Sequence, residues 1–186
     1  MFFIILALVI LTHALIGIFD FSFYRIPNLF LGLLVVLYGL YAPIYLDFHA
    51  IWGSLIIFAI MLVISFSLYA LKIIGAGDAK YIAVASLWAG THGIVPLLFF
   101  VSLAGAAVSL IYLFLRNYIG RFSDLIWIYI QKAETDHPKL QSIWVGSGTG
   151  PERGKRENIG PRMIPYGIAI ATGSIIMLMM NPIIHR

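Results

Sequence analysis

The sequence contains no cysteine and very little charge. Without cysteine, disulfides, cysteine-ligated zinc and thiol catalysis are excluded. Only 11% of the residues are charged, where ordinary soluble domains carry about a quarter. The few charges are clumped, and 61% of the residues are hydrophobic. This leaves little room for a separate soluble domain and points to an integral membrane protein, read as one domain over 1–186. A formal net charge of +4 would suggest nucleic acid in a soluble protein. Here the basic residues read as topology signals, and no nucleic-acid partner is expected. The N-terminal stretch "MFFIILALVILTHALIGIFD" lacks the basic start of a secretory signal peptide and a small-residue cleavage site before Asp20. It reads as a retained first transmembrane helix.

A spanning helix needs about 20 mainly apolar residues. Six candidates run at about Phe2 to Phe23, Leu29 to Leu46, Ala50 to Ile74, Ala79 to Ala89, Ile94 to Leu115 and Met163 to Met180. Gly90, Gly93 and Pro96 separate the fourth from the fifth, because glycine and proline punctuate helices. The fold class is therefore all-α, with six transmembrane helices. Lys and Arg favour the cytoplasmic side. With the N-terminus outside, the inner segments hold Arg25, Lys72, Lys80 and the basic residues of 116–162, and only Arg186 remains outside. Asp20 and Asp78 then lie at the cytoplasmic ends of helices one and four.

The sizeable polar stretch, 116–162, lies between helices five and six. Its part "RFSDLIWIYIQKAETDHPKL" is apolar and aromatic between charged ends, as in a helix lying at the membrane interface. Its part "GSGTGPERGKREN" reads as a solvated loop. A plain connector accounts for the whole stretch equally well. Its net basic charge makes anionic lipid a natural partner.

Of the eight acids, Asp124, Glu134, Asp136, Glu152 and Glu157 fall in that stretch, and Asp47 follows Pro43 in a short outer loop. Asp20 and Asp78 alone adjoin transmembrane helices on one face of the membrane. Apolar residues continue past Asp20, and helix four is short, with about 11 residues or roughly 16 Å. Both features bring the acids toward lipid depth, where an ionisable group is costly and usually faces the bundle interior. Asp20 also sits at a helix C-terminus, where the dipole opposes a negative charge. Two carboxylates sharing a site hold one proton near neutral pH. One can then take a proton from water while the other gives one to a carbonyl oxygen, which is peptide hydrolysis without metal or thiol. For Asp78 the competing reading is a helix N-cap, a position that aspartate favours. Gly75 and Gly77 permit unusual backbone angles and leave room for a substrate strand.

Three segments carry a family resemblance. "GAGDAKYIA" resembles the G-x-G-D-x-K segment of the type IV prepilin peptidases, bacterial membrane aspartyl proteases. "DFSFYRIPN" (Asp20 to Asn28) resembles the family's aspartate at the end of helix one followed by an R-I-P-N turn. "IPYGIAIATG" (Ile164 to Gly173) is similar to the opening of the family's last helix. The resemblance implies that Asp20 and Asp78 are the catalytic pair and that six helices cross the inner membrane. It also implies that the substrate is a pilin or pseudopilin precursor, cut between a short basic leader and an apolar helix. The chain lacks the paired-cysteine region of the larger members that also N-methylate the product. It most resembles the short type serving tight-adherence pili, so methylation is not expected.

Around that pair, Arg25, Pro27, Asn28, Gly75, Gly77, Lys80, Pro165 and Gly167 are candidate supporting residues. Each has a plainer reading. Pro27 and Asn28 start helix two, Lys80 and Arg25 anchor the inner face, and Pro165 and Gly167 shape helix six. His13, seven residues before Asp20 on roughly the same helix face, reads first as a hydrogen-bonder inside the bundle and second as a proton shuttle. Tyrosines and phenylalanines are expected mostly at lipid-facing or interfacial positions. The five histidines, at 13, 49, 92, 137 and 185, show no ligand-like spacing. No metal and no cofactor is expected, and a homodimer is left open. Two other classes stay in view: a small proton-coupled transporter, since paired acids also serve proton relays, and a structural subunit whose acids only cap helices.

Overall fold

The computed structural model describes residues 2–23, 25–136 and 165–180. They form helices without strands: α1 (Phe2–Phe23), α2 (Asn28–Tyr45), α3 (Phe48–Ala70), α4 (Ala76–Asp136) and α5 (Tyr166–Met180). Three helices, α1 to α3, and the Ala76–Ile111 part of α4 are long and apolar enough to cross a membrane, while α5 is apolar but shorter. The outer surface is apolar to a degree water would not tolerate. Phe3, Val63, Phe66, Val95 and Phe114 are all more than 60% exposed. Patches of this size mark a surface covered by another apolar phase, here lipid.

Each turn between helices has a local cause. Pro27 holds the N-cap position of α2 in extended backbone (φ −64°, ψ 129°), so Pro27 and Asn28 do start this helix. Asp47 caps α3, accepting from the Ala50 backbone N–H at 3.1 Å. At the other end of α3, Lys72 takes φ 59°, its N–H donates to the Tyr69 carbonyl, and the Ile73 N–H donates to that of Leu68. This is the paired closure of a Schellman motif, with lysine where glycine is usual. It turns the chain within five residues into α4.

The helix break expected near Gly90 is present and is sharp. Gly90 has φ 59° and ψ −165°, a conformation essentially confined to glycine. It divides α4 into a first leg (76–89) and a second leg (91–136). Pro96 lies within the helical second leg. That leg runs without a break through the segment expected to lie at the interface, as far as Asp136. The glycine-rich loop 146–158, with the rest of 137–164, lies outside the described residues.

The first leg is the centre of the bundle. Tyr81, Ala83, Ala85 and Ser86 on it are fully buried. Helix α3 is tied to it by the Ser65 hydroxyl, which donates to the Ala79 carbonyl at 2.9 Å. Helix α2 is tied by Trp88 Nε1, which donates to the Leu34 carbonyl at 3.1 Å. Against the second leg, α5 lies backbone to backbone: a Cβ on Gly173 would stand 2.6 Å from the Val101 nitrogen. Against α1 it meets Gly17, whose Cβ would stand 3.3 Å from Ala171 Cβ. Close backbone approach through small residues is how helices associate where lipid removes the hydrophobic drive.

Candidate active site

Asp20 lies near the C-terminal end of α1 and is 95% buried, being 5% exposed. Its helix dipole opposes a charge there, but another helix compensates. The backbone N–H groups of Gly167 and Ile168, in the first turn of α5, act on its carboxylate. Helix N-termini present free N–H groups and a partial positive charge to an anion. Gly167 makes the approach feasible, since a Cβ at this position would stand 2.7 Å from both Asp20 Cγ and Oδ2. Asp20 Oδ2 nevertheless has no hydrogen-bond partner among the described residues.

Asp78 is partly buried. Helix α4 begins at Ala76, three residues earlier than expected, and the Ala79 N–H already donates to the Gly75 carbonyl at 3.0 Å. Asp78 is thus inside the first turn and is not the N-cap. Its carboxylate turns back to the Gly75 N–H, as an acid in the third helical position does in a capping box. Gly75 provides space for this: a Cβ there would stand 3.1 Å from Asp78 Oδ2. Gly77 instead packs against the Ile26 side chain, 3.5 Å from where a Cβ would be. Neither glycine takes a left-handed conformation; the positive-φ glycine among the described residues is Gly90. The expectation of special backbone angles at 75 and 77 is therefore corrected. Both glycines provide room for side chains of this chain.

The two acids belong to one electrostatic site, because the charge of Asp78 acts on Asp20. Around them, Pro165 and Gly167 are buried, whereas Arg25, Asn28, Gly75 and Lys80 are exposed. Neither Arg25 nor Lys80 is among the groups acting on either carboxylate. Next to Asp20 in the chain, α1 and α5 border an open apolar groove of about 390 Å³, lined by Gly17, Ile18, Phe21, Ile168 and Ala171 among others.

One side chain at the site was not foreseen. Tyr81 is fully buried and feels the charge of Asp20. Its hydroxyl is 2.7 Å from His13 Nδ1. Tyr38 and Tyr41 are also buried, so the expectation of lipid-facing tyrosines fails at these three positions. For Tyr81 a signal existed. It follows Asp78 by three residues, and residues three apart share a helix face.

A sequence model of the type IV leader peptidase family matches residues 3–110, a segment that contains both acids, the turn after α1 and the whole first leg of α4. No curated protein and no solved structure matches the chain. With more than half of its length covered by that match, the chain belongs to the type IV leader peptidase family.

Proposed function

We propose that the protein is an aspartic endopeptidase of the inner membrane that removes the short basic leader from pilin-like precursors at the cytoplasmic face. The observation that supports this reading is the electrostatic influence of Asp78 on Asp20 across two helices far apart in sequence. In the proposed reaction, one carboxylate takes a proton from water. The oxygen then attacks the scissile carbonyl carbon while the other carboxyl gives its proton to the carbonyl oxygen. Collapse of the tetrahedral intermediate breaks the C–N bond; the leaving amine takes the proton that the first carboxyl gained from water, and the second carboxylate regains one from a hydroxyl of the intermediate. Both carboxylates act by general acid–base catalysis, and none of these steps calls for a metal.

Six membrane crossings are part of the same proposal. They are obtained by counting the two legs of α4 separately and including α5. The open apolar groove bordered by α1 and α5 supports a substrate whose body is an apolar helix in the bilayer. The absence of cysteine supports cleavage without N-methylation. A proton-coupled transporter is less well supported, since both acids gather at one end of the bundle and the family match is to peptidases.

The test uses purified protein in lipid and candidate precursors from the same genome, read by mass shift and by the new N-terminus. We expect one cut between leader and apolar helix. We further expect Asp20→Asn and Asp78→Asn to insert and fold normally while losing at least a thousandfold in turnover. Asparagine is nearly isosteric but cannot exchange the proton. Near-full cleavage by either variant would end the paired-aspartate reading.

A further inference from the structure

Behind the two acids lies a second polar pair that the reaction above does not use. His13 and Tyr81 are fully buried, and their polar tips meet at 2.7 Å. Tyr81 belongs to the apolar core cluster that also holds Val9, Ile16, Leu34 and Ala85. The helices impose the arrangement. His13 precedes Asp20 by seven residues on α1, and Tyr81 follows Asp78 by three on α4. Each pair shares a helix face, so the His–Tyr contact forms a second rung beneath the carboxylates.

Packing alone is a poor explanation for this rung. His13 Nε2 has no partner among the described residues, and an unpaired polar atom in an apolar interior is costly. Phenylalanine and leucine would fill the same space without it. The unpaired nitrogen also bears on the tautomer. If Tyr81 donated to Nδ1, the imidazole N–H would sit on Nε2 as an orphaned donor. If Nδ1–H donates to the tyrosine oxygen, Nε2 is a bare acceptor and every N–H of the pair is used. In that second arrangement the Tyr81 O–H remains free to donate. The charge that acts on it is that of Asp20, whose Oδ2 lacks a partner among the described residues. Catalytic hydrogen bonds commonly tighten only when substrate is bound.

We propose that Tyr81, oriented by a hydrogen bond from His13, is a positioning residue that fixes the Asp20 carboxyl for cleavage. The groups facing Asp20 are then Asp78 and Tyr81 from α4 and the Gly167 and Ile168 N–H groups from α5. His13, on α1 itself, acts through Tyr81. This inference rests on the peptidase reading.

The test is steady-state processing of a full-length precursor by the purified protein in lipid. Tyr81→Phe removes only the hydroxyl. We expect kcat to fall roughly tenfold to hundredfold, the size of one lost hydrogen bond to a charged group, with KM within about twofold. His13→Leu should fall equally, the double variant should fall no further than either single one, and His13→Asn, which keeps an N–H donor, should recover part of the rate. A kcat within twofold of the parent in Tyr81→Phe, a loss confined to KM, or additive losses in the double variant would overturn the proposal. If Tyr81→Phe does not fold, His13→Leu compared with His13→Asn decides, and equal rates in those two overturn it. Asp20→Asn run alongside separates the failures. Cleavage by that variant removes the aspartate reading itself, whereas its loss together with a fully active Tyr81→Phe removes only the role of Tyr81.

Discussion

The two ends of the first leg of α4 are built on opposite principles. At the Gly90 end, aromatic rings interlock: Trp88 meets Tyr38 edge to face at 5.5 Å and Tyr41 at 5.4 Å. The indole N–H is tied to α2, and among the described residues the Tyr38 hydroxyl is the buried polar atom there without a partner. At the Asp78 end rings also pack, Phe19 against Phe23 at 5.4 Å and against Phe30 at 5.2 Å, but the buried polar atoms without a partner among the described residues are more numerous: Asp20 Oδ2, Ser22 Oγ and His13 Nε2. Buried polar atoms normally find partners. A fold that leaves fewer of them open at one end of a helix than at the other has placed stability at the first end and chemistry at the second.

That contrast can be broken most forcefully at Gly167. Because a Cβ there would overlap the Asp20 carboxylate, Gly167→Leu should reduce precursor processing at least a hundredfold, and Gly167→Ala by about tenfold. For Gly167→Ala the loss of processing should exceed what any loss of stability explains, as gained helix propensity offsets part of the overlap. Equal processing by Gly167→Ala and the parent would show that the α5 N-terminus does not need to approach Asp20.

At the other end the effects should invert. Gly90→Ala forces a side chain into a glycine-only conformation and places its Cβ 2.9 Å from Ser54 Oγ. It should destabilise the protein by about 1–3 kcal/mol while changing turnover of the folded fraction by less than threefold. Thermal unfolding in detergent, paired with initial rates per folded molecule, separates the two. A variant of normal stability and lost activity would contradict the division. The smallest effect is expected from shortening residues 146–158 to a few residues. Their glycine and charge offer no apolar face to the bundle, so processing should fall by no more than about twofold. Loss of turnover in a folded variant would place part of the site in that loop.

Much of this was legible in the residues for physical reasons. The run from Phe2 to Phe23 is apolar enough to define α1 with its observed limits, and Gly90 marks the break because no other residue tolerates its backbone. The acids stood out because an ionisable group in an apolar chain needs a reason. What remained hidden depends on contacts between distant segments. The start of α4 was placed after Asp78 because an aspartate before an apolar run resembles a cap, and only the Ala79-to-Gly75 bond shows the turn already formed. The unfavourable dipole at Asp20 was visible from α1, but its relief by α5, 147 positions along the chain at Gly167, could not be read from either segment alone. Tyr81 was missed for the same reason, since its partner His13 lies 68 residues away.

Everything proposed here depends on Asp20 and Asp78 forming one centre, and the natural absence of cysteine makes that directly measurable. Asp20→Cys combined with Asp78→Cys introduces the only two thiols of the chain. They can be treated in membranes with a short bifunctional methanethiosulfonate and read by mass spectrometry of linked peptides. Asp20→Cys combined with Asp47→Cys, the latter at the N-cap of α3 at the opposite end of the bundle, is the control. The account predicts efficient linkage of positions 20 and 78 and none of 20 and 47. Failure to link 20 and 78 when each thiol alone reacts with a monofunctional reagent, or equal linkage in both pairs, would contradict it.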